Sequence, residues 1–259
     1  MNRQERRQQA RADARLLAQG IDLTSADPEP TAALSRSLHA LFETAKRTGN
    51  IDPPVALYQA QIEASLDGLR ISGLACRKGC SHCCHVWVSA TAPELLYIAK
   101  ILLRRGGPAP ERVAAAHAAT RDEDVEARGR HPRPCPMLVD DACSIHPFRP
   151  KSCRFAASFD AAICRRSYLE GGEETIPMPE RYAAGRGIYA IALTCALLRA
   201  GLPVHAYEFN AGLACALARP DAEAAWLSGE DVFAAVRRDP NDILAWPPTQ
   251  LVYRRAFPG

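Results

Sequence analysis

The chain has 259 residues, near the upper size for one hydrophobic core, and 47% of them are apolar, which is enough to form that core. The formal net charge of +3 is too weak to indicate nucleic-acid binding by itself. No membrane span is predicted, because no run of about 18 uncharged apolar residues occurs.

The N-terminus begins Met-Asn-Arg-Gln-Glu-Arg-Arg and lacks the apolar segment of a secretory signal. We therefore expect a cytoplasmic protein, in which thiols stay reduced. Residues 1–28 are interpreted as a charged arm, helical or disordered over 1–20. Five arginines within its first fifteen residues favour a solvated helix over contact with an acidic partner.

Two helices are predicted before the first cysteine. The first is amphipathic, begins near residue 31 and ends at Gly49, because glycine suits the left-handed position after a helix. The second is expected to have Asp52 as its N-cap and Pro53 in its first turn.

Two more helices follow the first group of cysteines. Thr91 and Glu94 have the spacing of a capping box, which predicts a helix that ends at Gly106. Another helix is predicted over about 110–127.

Residues 137–145 predict a small β-hairpin that turns at Asp140 and Asp141. A short helix after Pro150 is expected to carry Cys153, and one over about 160–169 to carry Cys164. The C-terminal third predicts further helices at 179–200, 205–218, 220–227 and 230–238.

These elements indicate a mainly α fold: an irregular helical domain with a small β-hairpin packed beside a cysteine-rich metal-binding loop. We expect an N-terminal arm at 1–28 and a single helical domain at 29–240. The cysteine-cluster core of that domain lies at about 70–170, and a C-terminal tail covers 241–259.

Eight of the ten cysteines lie between positions 76 and 164, and four of them occur within nine residues. In a reduced compartment, clustered cysteines indicate metal binding or catalysis rather than cross-links. Thiolate sites select zinc, iron–sulfur clusters or Cu(I). The candidate ligands are Cys76, Cys80, Cys83, Cys84, Cys135, Cys143, Cys153 and Cys164.

The sequence is compatible with one metal centre or with two. Only the first group resembles a zinc knuckle, because the later cysteines are spaced by 8, 10 and 11 residues. Eight thiolates allow two four-ligand centres, or one centre with spare cysteines. Three histidines near the cluster are alternative ligands: His82, His85 and His146. Cys195 and Cys215 lie in apolar helical surroundings and are expected in the core.

Basic side chains around the cysteines are expected to offset the negative charge of a thiolate centre. Arg149 and Arg154 are the strongest candidates, because each lies within a few residues of Cys153. The others are Arg77, Lys78, Lys151, Arg165 and Arg166.

Part of the pattern is shared with a class of enzymes. The spacing Cys76-x3-Cys80-x2-Cys83 is similar to the one with which radical S-adenosylmethionine enzymes hold an iron–sulfur cluster. The strand–helix alternation of their barrel does not occur in this sequence, so the spacing alone does not establish that chemistry.

The longer cysteine pattern resembles a known family. Cys80-Ser-His-Cys83-Cys84, then Cys135-Pro-Met-Leu, then the segment from Cys143 to Arg154 is similar to the YkgJ-type cysteine-cluster family, the bacterial CxxCxxCC zinc- or iron-chelating domain. The resemblance covers about residues 70–170. It implies metal or cluster binding by Cys76, Cys80, Cys83, Cys84, Cys135, Cys143 and Cys153, with Cys164 outside the core pattern.

From these observations we expect a protein that holds an iron–sulfur cluster or zinc, with iron–sulfur favoured because the thiolates outnumber the ligands of one zinc ion. A similar cysteine pattern in flagellin lysine N-methylases implies one alternative, a cluster-dependent protein-lysine methyltransferase. Another alternative is a structural zinc module for partner binding. The expected partner is a metal ion or cluster; a protein partner is left open, and neither membrane nor nucleic-acid binding is predicted.

Overall fold

A computed structural model describes residues 27–241 and 243–258 of the chain. The described part contains eleven α-helices and two antiparallel sheets of two strands each. The prediction of a mainly α fold with a small hairpin is therefore confirmed. The predicted arm lies outside the described residues up to position 26. Within the described residues, no helix is long and apolar enough to cross a membrane.

The helices are short except for three of them. Their bounds are α1 Glu29–Thr48, α2 Asp52–Leu69, α3 Ala92–Arg105, α4 Ala109–Thr120, α5 Val125–Arg130, α6 Lys151–Arg154, α7 Ala161–Leu169, α8 Glu180–Arg199, α9 Phe209–Ala218, α10 Ala222–Leu227 and α11 Pro247–Ala256. The strands are β1 Ser89–Thr91, β2 Leu138–Val139, β3 Ala142–Cys143 and β4 Ala206–Glu208. Single 3₁₀ turns occur at His82–His85, His146–Phe148 and Ile243–Ala245.

The ends of α1 and α2 follow from local chemistry. Gly49 has φ of 67° and its N–H donates to the carbonyl oxygen of Ala45 at 2.8 Å, so the predicted helix end is confirmed. The predicted N-cap at Asp52 is wrong, because Asp52 is the first helical residue and Ile51 occupies the cap. The side chain of Asn50 accepts from the N–H of Asp52 at 3.0 Å and so satisfies that donor.

The long helix α8 lies at the centre of the fold. It packs against α1, and α11 packs against both of them. Val252 and Ala256 of α11 are buried together with Cys195 of α8, whose thiol lies 3.6 Å from the carbonyl oxygen of Thr249. Cys195 is fully buried and is a core residue, while Cys215 is half-buried. The predicted tail at 241–259 thus contains a packed helix.

On the other side of the core, α9 packs against α3 and α4. Gly212 permits this approach, because a Cβ at that position would lie 2.5 Å from Cδ1 of Leu95. The capping box at the start of α3 is confirmed: the N–H and the hydroxyl of Thr91 both donate to Oε2 of Glu94, at 2.9 and 2.8 Å.

The helix predicted at 205–218 is wrong in its first turn, because residues 206–208 form strand β4. This strand pairs antiparallel with β1, with Ser89 opposite Glu208. The two strands are distant in sequence, so local periodicity does not reveal their pairing. Residues 230–238, predicted as a helix, are turns instead, and the carbonyl oxygen of Arg237 accepts from the N–H of Glu208 at 2.8 Å.

The helix predicted over 110–127 is two helices, α4 and α5. The carboxylate of Asp124 accepts from the N–H of Ala127 at 2.8 Å and starts α5 as a new helix. At the end of α4 the hydroxyl of Thr120 donates back to the carbonyl oxygen of Ala116 at 2.8 Å. The break between α4 and α5 turns the chain toward the second group of cysteines.

Candidate metal centre

The two cysteine-bearing segments lie side by side. The N–H of Cys135 donates to the carbonyl oxygen of Cys84 at 2.7 Å, and the N–H of Arg133 donates to that of His85 at 2.9 Å. These two bonds align residues 133–135 along the end of the first segment. Thiols that are far apart in the sequence are thereby brought to one place.

Tight turns shape the first segment. The N–H of Cys80 donates to the carbonyl oxygen of Arg77 at 2.9 Å, and Gly79 between them has φ of 86°, which a side chain would disfavour. The N–H of Cys84 donates to the carbonyl oxygen of Ser81, also at 2.9 Å. The cysteines therefore project from a compact loop rather than from a regular helix or strand.

The predicted hairpin is confirmed, with Leu138 of β2 opposite Cys143 of β3. Asp140 and Asp141 form its turn with φ of 49° and 55°, the pattern of a two-residue hairpin turn with both centres left-handed. The hydroxyl of Ser81 donates to Oδ1 of Asp141 at 3.2 Å. This contact joins the hairpin to the first cysteine loop.

The helix α6, which carries Cys153, is held against β1 and α3 by two short hydrogen bonds. The N–H of Lys151 donates to Oε1 of Glu94 at 2.6 Å, and the hydroxyl of Ser152 donates to the carbonyl oxygen of Ser89 at 2.6 Å. Glu94 is only 3% exposed. The sequence predicted its capping role but not this contact with α6.

Arg154 is a buried structural residue. Its guanidinium pairs with Glu63 of α2 and donates to the carbonyl oxygens of Pro147 and Arg149. Only 2% of the residue is exposed. Its positive charge therefore lies against the chain between Cys143 and Cys153 and holds that chain on α2.

Helix α7 brings Cys164 to the same region. The carboxylate of Asp160 caps the helix by accepting from the N–H groups of Ala162 and Ile163 at 2.8 and 3.0 Å. The helix packs against the 3₁₀ turn His82–His85. Cys164 is buried there, whereas Cys76 is exposed and the other six candidate cysteines are half-buried.

Electrostatic interactions connect all eight candidate thiols. Cys83 is the thiol that links two groups of them. Cys83 interacts electrostatically with Cys76 and Cys164 on one side and with Cys143 and Cys153 on the other. The remaining members join through these: Cys80 through Cys76, Cys84 through Cys83, and Cys135 through Cys143 and Cys153.

The set is not a finished coordination sphere. Across residues 27–241 and 243–258, no three Cys, His, Asp or Glu side chains already have an arrangement that could hold a metal ion. All ten cysteines lie in the described part of the chain and are free thiols. Coordination of one ion by these residues therefore requires their side chains to move from the positions that they have in this structure.

Burial raises the pKa of most of these thiols. It raises that of Cys135 to about 12 and is also the largest cause of the raised pKa values of Cys76, Cys143, Cys153 and Cys164. For Cys83 the largest cause is a side-chain hydrogen bond with Cys84, followed by burial. A metal that binds here must displace protons from the thiols.

Arg149 is a cation whose charge acts on several of the thiols. Its charge lowers the pKa of four of them, against the stronger effect of burial. Its Nε is buried and has no hydrogen-bond partner among the described residues. The guanidinium therefore keeps a donor and a full charge for a negatively charged centre. The four thiols are Cys76, Cys83, Cys143 and Cys153.

The other predicted cations have different surroundings. Arg165 and Arg166 form exposed ion pairs with Glu170 and Glu174, at 2.9 and 2.6 Å. Burial, followed by the charge of Arg186, lowers the pKa of Lys151 to about 8. Arg77 and Lys78 are exposed.

Two of the three histidines have defined neighbours. Nδ1 of His85 lies 3.0 Å from the carbonyl oxygen of Ser81, which orients the ring. His146 lies near Arg149, whose charge is the largest cause of its lowered pKa, with burial second.

The comparison with protein families agrees with this geometry. The segment at positions 75–170 matches the family CxxCxxCC, described as "Putative zinc- or iron-chelating domain". Residues 75–170, which resemble this family, are called the CxxCxxCC domain. The description of the family supports metal binding in general by this segment, which is less than half of the chain. No curated protein and no solved structure matches the chain.

Two tyrosines also lie near the thiols: Tyr168 in the CxxCxxCC domain and Tyr182 in the neighbouring helix α8. The sequence analysis predicted neither of them. Burial raises the pKa of Tyr168 to about 12, with the nearby Cys83 and Cys164 as further causes. Tyr182 has a raised pKa through burial and then through Cys76. Neither lies at a position whose spacing marks it as part of a site.

An open cleft adjoins the exposed end of the CxxCxxCC domain. The N–H of Ala75 donates to the carbonyl oxygen of Ser158 at 2.9 Å, so the chain on both sides of this contact borders the cleft. Its volume is about 630 Å³. Its lining residues are Leu69, Arg70, Ile71, Ser72, Phe159, Met178, Pro179, Glu180 and Arg181.

Proposed function

We propose that the CxxCxxCC domain holds a thiolate-ligated inorganic centre, an iron–sulfur cluster or zinc, with an iron–sulfur cluster favoured. The proposed ligands are the cysteines that the sequence singles out, and no more than four of them serve one zinc ion. They are Cys76, Cys80, Cys83, Cys84, Cys135, Cys143, Cys153 and Cys164.

The hydrogen bond between Cys135 and Cys84 is the observation that carries this proposal. Main-chain pairing at a cysteine from each segment keeps thiols of both segments adjacent before any metal arrives. Much of the entropy cost of gathering the ligands is then met by the fold itself.

The charge of the site supports the same proposal. Four thiolates on one divalent ion leave a local charge of −2, which is unfavourable in a half-buried site unless cations are near. Arg149 supplies such a charge, and its buried unpartnered Nε can donate to a thiolate or sulfide. An iron–sulfur centre would supply electron transfer or an open iron to this site.

The number of thiols favours a cluster over a single zinc ion. A closed zinc site needs four ligands and leaves the other four thiols without a role. A multi-iron centre, or two adjacent centres that share the neighbourhood of Cys83, uses more of them.

The test is purification of the full chain without oxygen, followed by elemental analysis and an ultraviolet–visible spectrum. The proposal expects iron and sulfide with thiolate-to-iron charge-transfer absorption in the visible range. Colourless protein with stoichiometric zinc and no iron contradicts the cluster and supports the zinc centre. Protein that binds neither metal contradicts the whole proposal.

A catalytic role is the second candidate, and the cleft lined by residues 69–72 and Phe159 favours it. A purely structural zinc module needs only closed coordination, whereas Cys76 is exposed and follows Ala75, which is hydrogen-bonded to Ser158 next to a cleft large enough for a side chain or a small molecule. Protein-lysine methylation, implied by the resemblance to flagellin lysine N-methylases, is the reaction to test.

Equilibrium dialysis of the reduced, metal-loaded chain with S-adenosylmethionine tests this second candidate. Binding that Phe159→Ala or Arg181→Ala weakens supports a role for the cleft. If the metal-loaded protein neither binds nor cleaves S-adenosylmethionine, the methyltransferase hypothesis is contradicted. That result does not contradict the proposed metal centre.

A further inference from the structure

A buried ionic network surrounds Arg128 of α5, whose charge lowers the pKa of Cys135 against the effect of burial. Arg128 is 2% exposed, and its Nε and Nη1 have no hydrogen-bond partner in the described part of the chain. Two carboxylates stand near it: Oε2 of Glu123 lies 3.6 Å from Nε, and Oε1 of Glu208 lies 3.8 Å from Nη1. Both distances are longer than a normal hydrogen bond.

One carboxylate of this network leads to the second cysteine segment. Glu123 accepts from Nε of Arg133 at 3.2 Å through its other oxygen. The backbone of Arg133 is in turn bonded to His85, two residues before the bond between Cys135 and Cys84. A series of contacts thus runs from Arg128 through Glu123 and Arg133 to the segment that carries Cys135.

The other carboxylate leads to the first cysteine segment. Glu208 lies in β4 opposite Ser89 of β1, the strand that follows the 3₁₀ turn containing Cys83 and Cys84. Its second oxygen accepts from the N–H of Ala211 at 2.6 Å, which fixes the carboxylate at the start of α9. The guanidinium of Arg128 therefore lies between two carboxylates, each of which is connected to one of the cysteine segments.

The stability of the fold does not explain this arrangement. A buried charge with unmet N–H donors costs free energy, and an apolar residue of similar size in such a position is often neutral or stabilising. Burial also raises the pKa of Glu208, an effect that the charge of Arg128 opposes. In some proteins buried ionic groups of this kind specify conformation rather than add stability.

We propose that Arg128 is a positioning residue of the metal centre, which sets the approach of the Cys135 segment to the Cys84 segment and places a fixed positive charge behind Cys135. This inference rests on the proposed function for its consequences in metal binding. It extends that function by assigning a role to Arg128, which is not a proposed ligand and lies in α5, between the two cysteine segments in the sequence.

The test compares Arg128→Lys with the wild-type full chain and with the control Arg165→Gln. Lysine keeps the charge but lacks the planar fork that faces two carboxylates at once. The control removes an arginine from an exposed pair on the helix that carries Cys164. If Arg128→Lys does not fold, the double variant Arg128→Gln/Glu208→Gln takes its place, because it removes both the buried cation and one of its buried anions.

Two measurements are made on each protein. Cobalt(II) is titrated against a competing chelator, and the thiolate-to-cobalt absorption band is recorded. Separately, the alkylation rate of Cys135 by iodoacetamide is followed by mass spectrometry in metal-free protein. We expect Arg128→Lys to weaken cobalt binding by about tenfold or more, the usual effect of losing an outer-shell partner. The band should shift and Cys135 should be alkylated faster, while the control matches wild type.

Unchanged cobalt affinity, an unchanged band and an unchanged alkylation rate in the variant overturn the inference. A purely structural role would lower the melting temperature without shifting the band. If wild-type protein does not bind cobalt, zinc or iron through its cysteines, the proposed function fails. The alkylation rate then decides the positioning role alone.

Discussion

The carbonyl oxygen of Cys84 accepts the N–H of Cys135 at 2.7 Å, although the two residues belong to segments separated by three helices. The same region receives α6 with Cys153 through Glu94 and Ser152, and α7 with Cys164 through its packing on the 3₁₀ turn. The two cysteine segments, α6 and α7 therefore come together near this main-chain hydrogen bond.

Metal binding should require thiols from more than one of the cysteine-bearing parts of the chain. We expect Cys83→Ser and Cys153→Ser each to lose most of the bound metal, because serine does not replace a soft thiolate. Elemental analysis of protein purified without oxygen measures this. Binding of metal also stabilises the fold, so both variants should unfold less cooperatively than loaded wild type.

Cys195→Ser is the matched control for these variants, because Cys195 is buried in the core beside α11 and outside the thiol set. It should keep its metal. Full metal content in both Cys83→Ser and Cys153→Ser would contradict the ligand assignment.

Replacement of Arg149 should weaken metal binding without unfolding the protein. Arg149→Gln removes the charge that faces four thiols, and we expect a loss of roughly 10- to 100-fold in metal affinity. Chelator competition measures the change. Arg166→Gln, which removes a cation from an exposed pair with Glu174, serves as the control and should bind metal as wild type does.

Replacement of Arg154 should instead lower stability. Arg154→Met removes the buried guanidinium that donates to the carbonyl oxygens of Pro147 and Arg149 and pairs with Glu63, and hydrogen bonds of a charged group contribute about 1.5–3 kcal/mol each. We therefore expect a loss of at least about 2 kcal/mol in the free energy of unfolding of the metal-free protein, measured by urea denaturation. A loss no larger than that of Arg165→Met, at an exposed pair, would contradict the structural role.

Glu94 should matter more than its capping partner. Thr91→Ala removes one hydroxyl from the capping box and is expected to cost about 1 kcal/mol. Glu94→Ala removes the acceptor of both Thr91 bonds and of the N–H of Lys151, so it should cost clearly more. Equal costs in urea denaturation would mean that the link to α6 contributes nothing to stability.

Replacement of Gly185 tests how tightly the core is packed around Phe155, two residues after Cys153, and Gly68 provides the matched control. A Cβ at Gly185 would lie 2.6 Å from Cε1 of Phe155, which is fully buried, so Gly185→Ala should destabilise the protein by about 1–3 kcal/mol. Gly68 lies in α2 with open space around it, so Gly68→Ala should stabilise by up to about 1 kcal/mol. Thermal unfolding followed by circular dichroism compares them, and a neutral Gly185→Ala would show that Phe155 moves aside freely.

Sequence reasoning was most accurate where the signal is local. The glycine end of α1, the capping box of α3 and the two-aspartate turn of the hairpin depend on residues within a few positions of each other, and the structure confirms all three. It failed at β1 and β4, whose pairing partners are distant, and at 230–238, where the chain follows the edge of that sheet instead of closing a helix.

By itself the sequence determined the helical class, the cysteine-rich segment and its metal-chelating character, because thiol density and local periodicity are properties of neighbouring residues. Only the tertiary structure decided which thiols are neighbours and which arginine faces them. Arg149 and Arg154 both lie within four residues of Cys153, yet one faces the thiols and the other is held by Glu63 and two carbonyl oxygens. The direction of a side chain depends on contacts that form only when distant segments pack together.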